Sequence, residues 1–170
     1  AVVRAQIERV LGEQAPFLDD LRTMRGFERW RDAIVVGVRG WRGAHGCPMG
    51  SLAGEIAGRC ETARENLQRG FSVWQHWFRL GLERMQDSGE LRPDADPEEL
   101  AVGLMAAVQG GYLLVKTTRD ERSMAIALGQ VLKLLGWSTQ RARPATRNRP
   151  HFRPGERVDL LNRAVGQLPI

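Results

Sequence analysis

Four side chains in this 170-residue sequence could bind metal or do thiol chemistry: His45, Cys47, Cys60 and His76. Zinc sites usually present tight pairs such as Cys-x2-Cys or His-x3-His. His45-x-Cys47 with two distant single residues lacks that spacing, so neither a metal nor another cofactor is expected. Cys47 has a redox reading, because it stands just before Pro48 at a predicted helix N-terminus, where a thiolate is favoured. The competing reading is a small, nearly buried side chain. Residues 40–50 hold four glycines but no Gly-Lys-Ser/Thr, and Gly-x-Ser-x-Gly is absent too. Carboxylates fall mostly at helix starts and exposed positions, where capping and solvation account for them. No catalytic residues are assigned and no enzyme is expected.

The elements that would position these groups read as helices. Val3, Ile7, Val10 and Leu11 fall at helical spacing in residues 1–11. No capping residue precedes them, so this helix is expected to continue a segment upstream. Residues 16–25 predict a second helix, with Pro16 in the first turn and Gly26 as its stop. Phe27, Trp30, Ile34, Val38 and Trp41 make one face of a third, closed by glycines 40, 43 and 46. A short helix follows from Pro48 to about Gly58. Thr62-x-x-Glu65 has capping-box spacing and predicts the start of a long helix, whose apolar face is Leu67, Phe71, Trp74, Phe78, Leu82 and Met85. Gly89 would end it. Asp96-Pro97-Glu98-Glu99 has the cap, the first-turn proline and the acidic first turn of a sixth helix. Asp120 would cap the seventh, ending at Gly136. Period-two alternation is absent, so the fold class is all-α, a bundle of about seven helices.

The charge is unevenly placed. The net +5 and a pI near 10 invite a nucleic-acid reading. Residues 138–170, however, hold seven arginines against Glu156 and Asp159, which leaves 18 basic and 18 acidic residues in 1–137. The surplus belongs to a Pro/Arg-rich tail, read as a mobile extension or one short docked helix through Val158, Leu161 and Val165. Residues 1–137 are read as one domain. The longest apolar run, 100–115, is 16 residues and falls short of the ~20 that a membrane span needs. No signal peptide is recognisable, and two cysteines fit reduced thiols, so a cytoplasmic protein with no membrane partner is expected.

A helix apolar on every side must be buried on every side. Residues 100–115 and the helix after Asp120 both carry more apolar surface than one core can cover. The expectation is a two-fold homodimer in which these two helices from each subunit form a four-helix interface. Its candidate residues are Ala101, Leu104, Ala107, Val108, Gly111, Leu114, Met124, Leu128, Val131 and Leu135. The competing reading is a buried hairpin within a monomer.

Several segments, in order, resemble one family. They are Gly46-Cys47-Pro48-Met49-Gly50-Ser51-Leu52 with Ala53 and Glu55, Phe71-x-x-Trp74, Gly89-Glu90-Leu91, Asp96-Pro97-Glu98-Glu99-Leu100-Ala101, Gln109-Gly110-Gly111-Tyr112-Leu113-Leu114 and Arg119-Asp120. Together the pattern resembles the C-terminal effector-binding and dimerisation domain of TetR-type transcriptional repressors. The family's N-terminal helix-turn-helix has no counterpart in this sequence, and residues 1–11 resemble the linker helix entered partway.

The resemblance implies an effector cavity among the central helices. Trp30, Ile34, Trp74, Phe78, Met85 and Met105 are its wall candidates, and Gln109, alone in an apolar helix, is the polar anchor. The unknown small-molecule effector would be apolar or aromatic. Operator DNA would be reached only through the absent N-terminal domain. The alternatives are that these residues simply fill the core, that the protein is a helical enzyme or carrier, or that it is an interaction dimer without a pocket.

Overall fold

A computed structural model describes residues 2–17, 20–41 and 43–139. It contains six α-helices and one 3-10 turn, with no strand among the described residues. The helices are α1 (Val2–Gln14), α2 (Met24–Gly40), α3 (Pro48–Ile56), α4 (Glu61–Asp87), α5 (Pro97–Thr118) and α6 (Arg122–Thr139). The tail expected from residue 138 onward, with its docked helix, lies almost wholly outside the described residues.

The count falls to six because the second expected helix does not form. Pro16 starts only the 3-10 turn Ala15–Phe17, and the next helix is capped by Thr23, whose Oγ1 accepts from Gly26 N at 3.0 Å. Gly26 is therefore a first-turn residue and not a stop. A β-carbon there would sit 1.5 Å from the Asp20 carbonyl oxygen, and one on Gly81 of α4 would sit 1.9 Å from that of Leu21. The two glycines let the 20–23 turn lie directly on helix backbone. Periodicity cannot distinguish a glycine that ends a helix from one that admits a neighbouring chain.

Other caps follow the sequence closely. Asp96 accepts from Glu98 N and Glu99 N, Asp120 Oδ1 accepts from Arg122 N at 2.9 Å, and Gly89 adopts φ +78° just past α4. The Thr62 box is not used: α4 begins at Glu61 behind Cys60, which makes no side-chain cap.

Packing is built around α4. Its Phe78 meets Trp30 of α2 edge-on at 4.9 Å between ring centroids, Phe27 at 6.4 Å and Trp74 of its own helix at 6.2 Å. Such aromatic pairs each add about 0.5–1.5 kcal/mol beyond the area they bury. Leu82, Met85 and Leu91 are buried in the same cluster. On the other side of α4 lies α5, which packs in turn on α6. By length and composition alone α5 could cross a membrane; 39% of that stretch is buried inside the bundle.

The structure also shows which faces of α5 and α6 are occupied. Ala101, Leu104, Val108, Gly111, Met124, Leu128 and Leu135 are buried within the subunit, and Ala107 and Val131 are half-buried. Of the ten dimer candidates only Leu114 is exposed. A β-carbon on Gly111 would meet Met124 Sδ at 2.5 Å, so the close approach at this glycine is made by α6 of the same chain. The apolar surface left uncovered is Val102, Leu113 and Leu114 on α5, with Ile126 and Leu134 on α6. Gly103, Gly110 and Gly129 have open space above them.

Candidate functional site

A cavity of about 520 Å³ opens where α1, α3, α4 and α5 meet beneath the 41–47 loop. Volumes of this order suit a small organic molecule. The loop is tied down at its far side. Arg119 Nη1 donates to the Gly43 carbonyl at 3.1 Å, and Gly43 takes φ +65°, with Val115 Cγ1 only 2.9 Å from where a β-carbon would stand. A side chain at 43 would lift the loop off α5. Arg119 itself closes α5 in the left-handed region, at φ 59°.

Each helix contributes a few groups. From α1 come Arg9, Val10, Glu13 and Gln14; from the loop Trp41, Ala44, His45, Gly46 and Cys47; from α3 Pro48 and Ser51. Helix α4 supplies Trp74, and α5 supplies Tyr112 and Lys116, one turn apart. Trp41 and His45 meet edge-on at 6.3 Å. Lys116 Cδ and Ser51 Oγ each lie 3.5 Å from the position a β-carbon on Gly46 would take. Gln14 is buried and accepts from Trp30 Nε1 at 2.9 Å, joining the cavity wall to the aromatic core.

The charged lining is Arg9, Glu13 and Lys116. Arg9 Nη1 lies 3.5 Å from Glu13 Oε1 on the exposed face of α1, whereas Lys116 makes no ion pair among the described residues. Tyr112 is buried, and burial, with the neighbouring Cys47 and Glu13, pushes its phenol far above the ordinary range. It therefore stays a hydrogen-bond donor at any working pH. Neither the Tyr112 hydroxyl nor the Trp74 indole N–H has a partner among the described residues. Yet the one sealed side-chain polar atom lacking a partner there is Asn66 Oδ1. Those two donors are consequently open to the cavity.

Among the seven expected pocket residues, Trp74 lines this cavity. Trp30, Ile34, Phe78, Met85 and Met105 are buried in the continuous core. Gln109 is half-buried beside the cavity: its Nε2 lies 3.7 Å from Met105 Sδ, and its Oε1 would stand 2.5 Å from a β-carbon on Gly50. It also bonds the Cys47 thiol.

Burial dominates at that thiol and pushes its pKa up, against the lowering effect of Gly50 N–H, Gln109 and Met49 N–H. Helix position alone had suggested the opposite. Cys60 is exposed. Among the described residues no three His, Cys, Asp or Glu side chains converge to hold a metal.

The polar lining was missed because its signals are single residues. Tyr112 is the sequence's only tyrosine and sits three places after Gln109. Arg9, Glu13 and Gln14 lie on a helix whose apolar face had drawn the attention.

Comparison with known proteins adds a family. Residues 26–131 match the family described as "Tetracyclin repressor-like, C-terminal domain". The HTH-type transcriptional repressor DhaR of Mycobacterium sp. (strain GP1) is 30% identical over 117 residues, 69% of this chain and 57% of that protein. The chain thus spans a little over half the length of the curated relative it matches. No solved structure matches.

Proposed function

This chain belongs to the tetracyclin repressor-like family, through its C-terminal domain, and we propose that it is the effector-sensing and dimerising part of a cytoplasmic transcriptional repressor. The observation that carries the reading is the cavity's contact with α1. Arg9, Val10, Glu13 and Gln14 come from the first helix of the chain, so a bound molecule presses on the segment nearest to residue 1. A DNA-reading domain preceding that residue in the whole protein, in keeping with the HTH-type relative, would feel the shift. An effector that binds one placement of α1 better than another changes operator affinity by that difference and by no more.

The partner subunit would sit on the uncovered apolar face of α5 and α6. Val102, Leu113, Leu114, Ile126 and Leu134 are each 48% exposed or more. The open space over Gly103, Gly110 and Gly129 admits close helix approach. Large apolar side chains exposed in this number on two packed helices are costly to leave in water. Light scattering should return twice the chain mass, and Leu113→Glu with Leu134→Glu should return the monomer. A monomeric parent at micromolar concentration would remove the dimer from the proposal.

Sensing is tested by thermal shift with a panel of small acids, amides, alcohols and hydrocarbons, alongside native mass spectrometry of the purified chain. At least one compound should raise Tm, and Ser51→Trp, which fills the cavity from α3, should abolish that shift. A chain that responds to nothing in the panel and carries no small molecule would sink the sensor reading.

A further inference from the structure

We infer that the cavity takes a small organic acid, with its carboxylate held by Lys116 and Tyr112 and its apolar body against Trp74 and Trp41. The inference rests on the sensor reading and narrows the ligand from any small apolar or aromatic molecule to one with an anionic end.

Three of the functional groups left open are donors. Lys116 has no anionic partner among the described residues, and its Cδ lies 3.5 Å from where a β-carbon on Gly46 would stand. The Tyr112 hydroxyl and the Trp74 indole N–H are in side chains 8% and 1% exposed, both without a partner. Buried Tyr and Trp donors normally find an acceptor, and leaving one unmade costs desolvation with no return. Two acceptors on the wall are already engaged. Gln14 Oε1 takes the Trp30 indole N–H, and Glu13 sits beside Arg9. With Arg9 and Glu13 offsetting each other, Lys116 leaves the lining at net +1, which one monoanion neutralises. A phosphate dianion would want a second free cation, and none is present among the lining residues.

The apolar part of the wall comes from Trp41, Trp74 and Val10, with His45 and Ser51 among the polar lining. Those apolar faces suit the body of a compact acid. A carboxylate accepting from an ammonium and a phenol makes charge-assisted bonds, roughly twice as strong as neutral ones. A neutral amide of the same shape keeps the apolar contacts and loses the ion pair, so the two ligands separate charge from shape.

The experiment titrates 2-naphthoate and 2-naphthamide into the 170-residue chain, reading tryptophan fluorescence and calorimetric heat. Naphthoate should bind about tenfold or more tighter than the amide, the size expected of one charged hydrogen bond. Lys116→Gln is exposed and should leave the fold intact while cutting naphthoate affinity about tenfold and barely changing the amide. Tyr112→Phe should weaken naphthoate by about fivefold. Equal affinity for the two compounds, or a preference for the amide, overturns the acid inference and leaves the sensor reading standing. Binding of neither compound also overturns it, and the wider thermal-shift panel then decides the sensor reading by itself.

Discussion

Two successive turns of α4 illustrate opposite uses of the same residue types. Toward its C-terminal half, Phe78 is enclosed by Trp30, Phe27 and Trp74 with no space left over. One turn earlier Trp74 is equally buried, yet its other edge faces a cavity walled by Arg9, Glu13, Tyr112 and Lys116. Aromatic side chains at helical spacing therefore do not by themselves mark a binding site. What separates the two regions is the neighbour across the helix: α2 brings in large rings, whereas α1 and the 41–47 loop bring polar groups and glycines that leave a gap.

The contrast is broken most severely at Phe78. Phe78→Ala should cost about 3–5 kcal/mol in urea unfolding, because the rings around it cannot collapse into the void. Tyr112→Phe, at the cavity, should stay within about 0.5 kcal/mol, since the hydroxyl it removes bonds nothing in the protein. Equal losses would mean that the cavity end is as tightly packed as the core. Gln14 stands between the regions. Gln14→Leu strands the buried Trp30 N–H and should cost about 1–3 kcal/mol; an unchanged midpoint would show that the bond does not hold the two regions together.

Thiol chemistry sharpens the difference without altering stability. Cys47 is buried at the cavity edge and its thiol is pushed up by that burial. In the native protein a disulfide reagent should consume the exposed Cys60 alone, and Cys47 only on unfolding. Rapid reaction of both would revive the redox reading of Cys47.

The smallest effect expected is electrostatic, on the outer face of α4. Arg79 pairs with Glu83 and Glu98 and lies 2.7 Å from His76 Nδ1. Partial burial, then Arg79, lowers the His76 pKa below its ordinary 6.5, with Glu83 and Glu98 opposing. The unfolded chain therefore binds a proton that the folded one refuses in the window just below 6.5. Stability should rise with pH through that window and fall on acidification. Melting curves between about pH 5 and pH 7 should show a slope that flattens in His76→Gln; an unchanged slope would assign it to other groups.

Local signals were legible where one residue type does one job. Asp96 and Asp120 cap their helices and Gly89 stops α4, because a carboxylate reaching back or a positive φ depends only on the nearest few residues. The Thr62 box and the Gly26 stop misled for the complementary reason. Cys60 already precedes α4, and Gly26 is a glycine because the Asp20 carbonyl needs its space. The excess apolar surface on α5 and α6 was also legible, but not its partition. Seven of the ten residues assigned to an interface are enclosed by the chain itself, and the exposed set is largely different.

By itself, then, the sequence determined that the chain is helical, where most of its helices begin and end, and which family it resembles. These follow from periodicity, capping chemistry and motif order, all short-range properties along the chain. Only the tertiary structure decided which apolar faces are spent inside the subunit and where a hollow remains. A cavity is a failure of side chains from four helices and a loop to fill one volume, and no single helix carries that information. The same reason placed most of the expected wall residues in the continuous core, with Trp74 at the cavity, and drew the candidate site to Tyr112 and Lys116, two donors on its wall.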